Sequence, residues 1–323
     1  MVSRRYLRIK VMQALYAKKA NANEDLASGE KKLDQSIQRC QELSFYFYSI
    51  FPIIRNYVDN KLSERKNKNF PTEEDLNPNT KFVDNLVIKQ IDENKFLQSR
   101  WKELGINWYQ QTDLIAKIFS EIMKLEKYQT YMAEPARSYK SDKELILAII
   151  TEVFAENELL HWFFEEKYVH WFDDYNEALL MVYQNITFWK ASQEQVTISP
   201  LLKDPTEDTL FYKNLYRKTI ENWSTHFKEI ESKLQNWESD RVIETDMILM
   251  QMAMCELTEF SDIPVKVTIN EYIEIAKMYS SAKSANFING MIDRLANELK
   301  MQGKLNKSGR GLLNQSLKPM KDE

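Results

Sequence analysis

Glycine and proline are scarce in this chain, and that scarcity constrains its fold more than any other feature. Only 6 glycines and 8 prolines occur in 323 residues, whereas average usage is about 7% glycine and about 5% proline. A sheet protein needs frequent turns, and turns draw on these two residue types. With 43% hydrophobic residues the chain can still build a substantial core. The composition therefore predicts an all-α protein, and no glycine-rich phosphate-binding loop occurs in it.

Cysteine usage and hydropathy favour a protein of the cytoplasm. The two cysteines, Cys40 and Cys255, lie far apart and neither has a C-x-x-C partner, which excludes a disulfide framework and a zinc knuckle. The N-terminus is basic but lacks the apolar segment of a signal peptide. The longest apolar run in the middle of the chain, Leu145 to Ile150, is too short to span a bilayer. We expect a cytoplasmic protein without membrane contact.

Charge is unevenly distributed along the chain. The net charge is −4, but residues 1–19 contain six basic residues and no acidic one, and residues 300–323 contain six basic residues against two acidic ones. Residues 20–299 therefore carry −14. An acidic body with two basic ends does not suit a protein that coats nucleic acid over its whole surface. It suits one that contacts an anion at a defined place.

Hydrophobic spacing divides the chain into helices separated by two polar, proline-containing linkers, over 59–80 and 191–207. Pro52 is expected to kink or end the second helix. Thr268 and Glu271 have the spacing of a capping box that would begin another helix. The remaining helices are predicted over 4–19, 33–58, 80–103, 109–132, 141–190 with a division near Asp173, 208–236, 241–258 and from about 284.

The side chains that could support catalysis do not form a convincing site. His161, Glu165, Glu166 and His170 lie in one aromatic helix. A di-iron bundle instead uses a Glu-x-x-His motif from two helices, and no second copy occurs. The aromatic residues of this region are expected to form core rather than a stacking platform. The sequence therefore predicts no active site, no metal and no cofactor, and hence a protein that is not an enzyme.

The basic N-terminal cluster is a stronger signal. Arg4 and Arg8 lie one helical turn apart with Arg5 beside them, where arginine faces the unfavourable positive end of the helix dipole. Helix stability therefore does not explain the cluster. Arginine suits phosphate because its planar fork donates two parallel hydrogen bonds, and Tyr6 and Tyr16 could stack on unpaired bases. The alternatives are a solvated basic helix, or arginines paired to the acidic body.

Three segments carry a family resemblance. Residues 4–17, RRYLRIKVMQALYA, are similar to the arginine-rich first helix of the transcription antitermination factor NusB family, whose pattern is RR-x-x-R followed by QALY. Residues 236–257 are similar to its segment with Trp, Asp-Arg and a closing Glu-Leu. Residues 263–295 resemble its signature P-x-K-V-x-INE-x-IE-x-AK followed by NG-x-(L/I)-D. The order and spacing of these elements make the resemblance specific.

The resemblance implies the organisation of the chain and its function. Residues 1–19 and 208–299 would form a NusB-like helical bundle, residues 20–207 an inserted helical region of unknown role, and residues 300–323 a basic flexible tail. In the family, this domain pairs with the ribosomal small-subunit protein NusE and binds the boxA element of nascent RNA. The pair helps RNA polymerase resist termination during ribosomal RNA synthesis. We therefore expect a transcription antitermination factor that acts in the elongation complex without chemistry or cofactor.

The resemblance also implies roles for individual residues. Tyr16, in the QALY element, would contact a base, and Lys283, where the family has an acidic residue, would add positive charge near the RNA. Asp246 and Glu256 fall on the helix that presents acidic residues to NusE. The phosphate contacts would be Arg4, Arg5, Arg8 and Lys10. The alternative roles are core for Tyr16 and solvated surface charge for the two acidic residues.

The chain departs from the family pattern at several positions. Gln251 stands where the family usually has Arg, Cys255 where it has Tyr, and Ala285 where it has His. The first two leave the details of the NusE contact open. Asn289-Gly290 would normally indicate a turn, but the resemblance places it inside the last helix, where glycine would permit close packing.

Two other functions compete with antitermination. A helical interaction scaffold that has lost RNA binding would still bind NusE. A related helical domain also precedes the catalytic domain of a ribosomal RNA cytosine methyltransferase family, but only about two dozen residues follow Leu299 here. That is too few for a Rossmann-like catalytic domain, so we expect no methyltransferase activity.

Overall fold

The computed structural model describes residues 1–21, 23–234 and 243–312, and this part of the chain is helical without a strand. The predicted all-α fold is confirmed. The helices are α1 (Arg4–Ala20), α2 (Leu26–Lys66), α3 (Glu73–Leu76), α4 (Leu86–Asp92), α5 (Lys95–Glu103), α6 (Thr112–Lys124), α7 (Glu126–Ala133), α8 (Tyr139–Ala148), α9 (Glu158–Lys167), α10 (Trp171–Phe188), α11 (Pro205–Glu221), α12 (Trp223–Leu234), α13 (Glu244–Glu259), α14 (Val265–Tyr279) and α15 (Ala282–Met301). A π-helical segment (Ile149–Phe154) follows α8, and a 3-10 turn (Gly309–Leu312) follows α15.

The chain divides into two compact units. The terminal unit comprises residues 2–37 and 202–323, and the middle unit comprises residue 1 and residues 38–201. Helix α2 passes through the boundary at residue 37. The terminal unit thus joins the two chain ends that carry the family motifs.

Helix α13 is the centre of the terminal unit. It contacts α1, α11, α12, α14 and α15, and every residue from Asp246 to Leu257 is buried. Its buried apolar residues are not confined to one face, since Ile248, Leu249 and Met252 are all fully buried. A helix that is apolar all round belongs in a core, and here five helices surround it.

Polar side chains begin the helices of the terminal unit. The Ser3 hydroxyl accepts a hydrogen bond from the Tyr6 N–H at the start of α1. Asp204 caps α11, with Pro205 at the first helical position where its missing N–H costs nothing. The single helix predicted over 208–236 is two helices, because α11 ends at Glu221 and α12 begins at Trp223.

Helix α2 shows that Pro52 does not end the helix, which was one of its two predicted effects. The proline lies inside the helix, which continues to Lys66 and so takes in the first eight residues of the predicted linker over 59–80. Proline removes one backbone hydrogen bond. Against that loss, Phe51 and Ile54 on either side of it are almost completely buried, and their packing keeps the helix continuous.

The segment 141–190 is divided more often than predicted. The helix begun at Tyr139 passes into the π-helical segment, and Asn157 then caps α9 by accepting from the Leu160 N–H. A second interruption over 168–170 precedes α10. The hydroxyl of Tyr175 donates to the carbonyl of Phe154 at 2.6 Å, which ties the end of the π-helical segment to α10.

Aromatic side chains form much of the core of the middle unit. The sequence predicts this for the aromatic residues around His161 and His170, and it holds for part of them. Phe47 packs against Phe164 and Tyr175 with ring centroids 5.1 and 5.0 Å apart. Trp162 and Phe172 differ from the prediction because both are about 60% exposed. Among the described residues, no group of three His, Cys, Asp or Glu side chains is arranged to hold a metal ion.

Helix α15 contains Asn289-Gly290, as the resemblance predicts. The predicted reason for this glycine, close packing against a neighbour, is wrong. No atom of a neighbouring element lies within 4 Å of the position that a Cβ on Gly290 would occupy. The following residues, 300–312, contain the end of α15 and the 3-10 turn, while 313–323 lie outside the described residues. No helix in the described ranges is long and apolar enough to cross a bilayer.

Candidate nucleic-acid interface

A buried ion pair joins α1 to α13. The Arg8 guanidinium donates two hydrogen bonds to the Glu256 carboxylate, from Nε and Nη2, each 2.8 Å long. The side chain of Arg8 is 3% exposed and that of Glu256 is fully buried. Burial disfavours the charged guanidinium, but the Glu256 carboxylate outweighs that effect and raises the pKa of Arg8.

Three further groups surround the Glu256 carboxylate and its backbone. The hydroxyl of Thr268 donates to Oε1 at 2.8 Å, and that of Tyr272 donates to Oε2 at 3.4 Å. Burial, together with the Glu256 charge, raises the pKa of Tyr272 and keeps its proton in place as a donor. Lys307 donates to the backbone carbonyls of Glu256 and Phe260, at 3.1 and 2.8 Å, and burial lowers the pKa of Lys307 to about 8.

The predicted capping box at Thr268 and Glu271 does not form. Helix α14 starts earlier, at Val265, with Pro264 as its N-cap. The Thr268 hydroxyl is used by Glu256, and the Glu271 carboxylate accepts two hydrogen bonds from Arg5, at 3.0 and 2.9 Å. A local pattern typical of a helix start serves tertiary contacts with α1 and α13 instead.

Arg4 and Arg5 lie at the surface end of the same cluster. Arg4 contacts Asp208 at 3.2 Å and Glu207 at 3.4 Å, and its guanidinium lies 5.1 Å from the ring centroid of Phe211. The side chains of Arg4 and Arg5 are 34% and 39% exposed. Arg4, Arg5 and Arg8 are therefore each paired with a carboxylate, but Arg4 and Arg5 remain partly accessible.

A groove of about 480 Å³ opens at this end of α1. Basic side chains from both chain ends line it, together with two carboxylates; the charged lining residues are Arg4, Arg5, Arg8, Arg310, Asp262 and Glu271. The guanidinium groups that line the groove are suited to binding an extended anion. We call it the arginine groove.

The other predicted RNA contacts lie elsewhere. Tyr16 is 50% exposed near the C-terminal end of α1, where Lys19 pairs with Glu244 of α13 at 3.0 Å. Lys283 is exposed in the first turn of α15. The structure thus separates the predicted RNA contacts along α1, with Arg4 and Arg5 at one end and Tyr16 at the other.

Four of the predicted contact residues are buried, which does not favour direct contact with RNA or a partner protein. Arg8 and Glu256 are paired with one another in the core. Lys10 is 1% exposed, with its ammonium 5.4 Å from the Tyr6 ring. Asp246 is also 1% exposed, and its carboxylate accepts a 2.6 Å hydrogen bond from the Ser280 hydroxyl. In the structure these side chains contact neighbouring groups of the protein.

Sequence reasoning missed Arg310 and Lys307 as members of the cluster. Both lie in the segment that the sequence predicts as a flexible tail, and Lys307 is 8% exposed. Glu271, the last residue of the INE motif, was visible as part of the resemblance, but its pairing with Arg5 was not. The scattered basic residues of the tail gave no signal of packing.

The fold and this groove define an all-helical protein that offers a basic surface for binding. The NusB family model matches residues 177–297, a range that begins within α10 of the middle unit. Among curated relatives, the transcription antitermination protein NusB of Salinibacter ruber is 44% identical over 115 residues, which is 35% of this chain and 71% of the relative. The NusB protein of Natranaerobius thermophilus is 30% identical over 128 residues, 38% of this chain and 92% of the relative.

A third relative, the NusB protein of Chloroherpeton thalassium, is 46% identical over 96 residues, 30% of this chain and 44% of the relative. No solved structure matches the chain significantly. The chain belongs to the NusB family. Its alignments with the Salinibacter and Natranaerobius proteins are at least 30% identical, and each covers more than two thirds of the relative's length.

Proposed function

We propose that this protein is a transcription antitermination factor of the cytoplasm that binds boxA-type RNA together with NusE, as part of an elongation complex with RNA polymerase. The observation that carries the proposal is the partly exposed pair Arg4 and Arg5 in the arginine groove of a NusB family member. The proposed role is binding, and it requires no catalytic step.

The ion pairs of Arg4 and Arg5 leave donors for phosphate. A guanidinium has five N–H donors, and each carboxylate contact here uses only Nε and Nη2. Among the described residues these contacts leave the Nη1 groups of Arg4 and Arg5, which we propose as donors to a phosphodiester. The carboxylates reduce the net positive charge, so we expect a few defined phosphate contacts and only weak long-range attraction.

Tyr16 supplies the second part of the proposed RNA path. Arg5 and Tyr16 are eleven residues apart, which is about 17 Å along an α-helix and almost the same angular position on it. A single strand that contacts the arginine groove with its phosphates can reach Tyr16 with an unpaired base, which would stack on the exposed ring. Lys283 would add a further phosphate contact from α15.

NusE would contact the same protein without direct help from Asp246 and Glu256. Both carboxylates are buried, so their proposed contribution is to fix α13 between its neighbours. The acidic residues that α13 leaves exposed are Glu244 and Glu259 at its two ends. We propose these as the part of α13 open to a basic partner.

The experiment is equilibrium binding of the full chain to fluorescent boxA RNA at several salt concentrations. Arg4→Ala/Arg5→Ala should weaken binding, and the log–log salt slope should fall by about 0.7 for each phosphate that the variant no longer binds. The matched control is Arg39→Ala/Arg100→Ala, because these arginines of the middle unit also form surface ion pairs, with Glu42 and Glu103. Equal weakening in both variants, or a flat salt response of the wild type, would contradict the proposal.

The alternative is a helical scaffold that binds NusE and has lost RNA binding. It is favoured by one observation: Arg4, Arg5 and Arg8 each lie against a carboxylate of the terminal unit. Crosslinking–mass spectrometry of the protein with NusE and boxA RNA separates the two functions. Protein crosslinks without RNA crosslinks would select the scaffold.

A further inference from the structure

We propose that Arg310, in the segment after α15, is a phosphate-binding residue that completes the arginine groove for single-stranded RNA. The inference rests on the proposed RNA-binding function and extends it to a part of the chain outside the three family motifs. Arg310 is exposed and lines the groove together with Arg4 and Arg5.

The segment that carries Arg310 is anchored on the terminal unit. The buried ammonium of Lys307 donates to the carbonyls of Glu256 and Phe260 at the end of α13. The backbone N–H of Ser308 donates to the carbonyl of Ser261 at 2.9 Å. These contacts hold residues 307 and 308, which shortly precede Arg310, against the C-terminal end of α13 and the loop after it.

Two glycines permit the turn that presents Arg310. Gly309 has φ = 52°, a left-handed conformation that side-chain-bearing residues rarely adopt. Gly311 is buried against the loop after α13, and a Cβ there would lie 1.9 Å from the carbonyl oxygen of Ser261. The close approach requires glycine, so the sequence Gly-Arg-Gly fixes where the arginine emerges.

The charge environment of Arg310 differs from that of its two neighbours. Arg4 and Arg5 are each held by carboxylates, whereas Arg310 forms no ion pair with another residue of the described ranges. It also borders an adjoining depression of about 280 Å³ that contains Arg4, Phe211 and Asp262. Within the described residues, Arg4 and Arg5 are paired with carboxylates and Arg310 is not, so Arg310 contributes a full positive charge to the groove.

Phosphodiester is the ligand chemistry that fits this arrangement. The planar fork of arginine matches the two free oxygens of a phosphodiester, and a second phosphate of the same strand can lie at Arg4 or Arg5. Contacts of this kind position a strand without reading its sequence. Arg310 is therefore expected to add affinity equally for boxA and for a scrambled single strand.

The test compares Arg310→Gln with Lys304→Gln in the RNA-binding assay. Lys304 is a matched control because it lies on the same segment, carries the same charge, pairs with Glu229 and does not line the groove. Arg310→Gln should weaken binding of both RNAs about fivefold and lower the salt slope by about 0.7. Lys304→Gln should bind like the wild type.

A second variant, Gly311→Ala, tests the presentation of the arginine without changing any charge. It should weaken RNA binding as Arg310→Gln does, with an unchanged circular dichroism spectrum, because only the turn is displaced. Wild-type affinity and slope in Arg310→Gln, while Arg4→Ala/Arg5→Ala binds weakly, would overturn this inference alone. Absence of RNA binding by the folded wild type would overturn the proposed function together with it.

Discussion

Replacing Arg8 by Met should destabilise the protein more than any change to the exposed arginines. The substitution leaves the Glu256 carboxylate buried with only Thr268 and Tyr272 as side-chain donors. Removing one partner of a buried ion pair costs about 3 to 5 kcal/mol, because an uncompensated charge stays in the interior. The ammonium of Lys307 lies close to Glu256 and offsets part of that charge, so we expect the lower end, about 3 kcal/mol.

The assay is urea unfolding of the full chain, followed by circular dichroism, with Arg5→Met as the matched control. Arg5 makes the same two-bond contact, but with Glu271 and at 39% exposure. The pair is only partly buried, and pairs at the surface contribute about 0 to 1 kcal/mol, so Arg5→Met should shift the midpoint less than Arg8→Met. The double variant Arg8→Met/Glu256→Met removes both charges and should recover most of the stability.

Two outcomes would refute this reasoning. If Arg8→Met and Arg5→Met lowered the midpoint equally, burial would not set the energetic weight of the pair. If the double variant were as unstable as the sum of the two single variants, Arg8 and Glu256 would not be coupled. RNA binding gives an independent readout, since Arg5→Met should weaken it while leaving stability nearly unchanged.

Two further predictions concern packing and pH. Gly29→Ala should lower the free energy of unfolding by about 1 to 3 kcal/mol, because the new Cβ would lie 2.1 Å from the buried hydroxyl of Tyr216. Gly290→Ala should raise the free energy of unfolding by about 0.5 to 1 kcal/mol, because its Cβ would meet no atom within 4 Å. Equal shifts of the two variants in thermal unfolding would contradict the packing argument. The pKa of Lys307 is about 8 in the folded protein against 10.5 as its ordinary value, so the unfolded chain binds more protons between these pH values and stability should rise across them, by up to about 3 kcal/mol. Urea unfolding from pH 7.5 to 10.5 gives the free energy of unfolding of the wild type and of Lys307→Met. The wild-type value minus the variant value should rise with pH, because the tyrosine and thiol titrations that both proteins share cancel. A constant difference would show that Lys307 does not titrate in this range.

The sequence predicted the helical class and the position of the motifs because both depend on local features. Scarce glycine and proline disfavour turns, and the terminal unit contains the two chain ends that resemble the family. Pro52 does not end α2, and the sequence left that possibility open because the loss of one hydrogen bond was weighed without the packing of Phe51 and Ile54. A local rule gives the cost of a residue, and tertiary contacts decide whether the helix tolerates it.

The pairing of the arginines was not predictable from local patterns. Glu256 is 248 residues from Arg8, and Glu271 is 266 residues from Arg5. Helical spacing shows that Arg4 and Arg8 share a face, but it does not show whether that face meets solvent or the core. The acidic partners belong to segments that reach α1 only after the fold has formed, so charge near an arginine in sequence carried no information about its partner.

The distribution of the three arginines follows from where α1 enters the core. Arg4 and Arg5 lie in the first turn, at the rim of the unit, while Arg8 lies one turn further in, where α13 and α14 close around it. Burying Arg8 is tolerable only with a fully bonded carboxylate, and Glu256 meets that need with Thr268 and Tyr272 as its other donors. Arg8 also lies 3.8 Å from the Glu271 carboxylate that binds Arg5. The buried pair therefore helps to fix the position of Glu271, and through it the orientation of an exposed guanidinium, so that one charge cluster both stabilises the fold and positions the surface proposed to bind RNA.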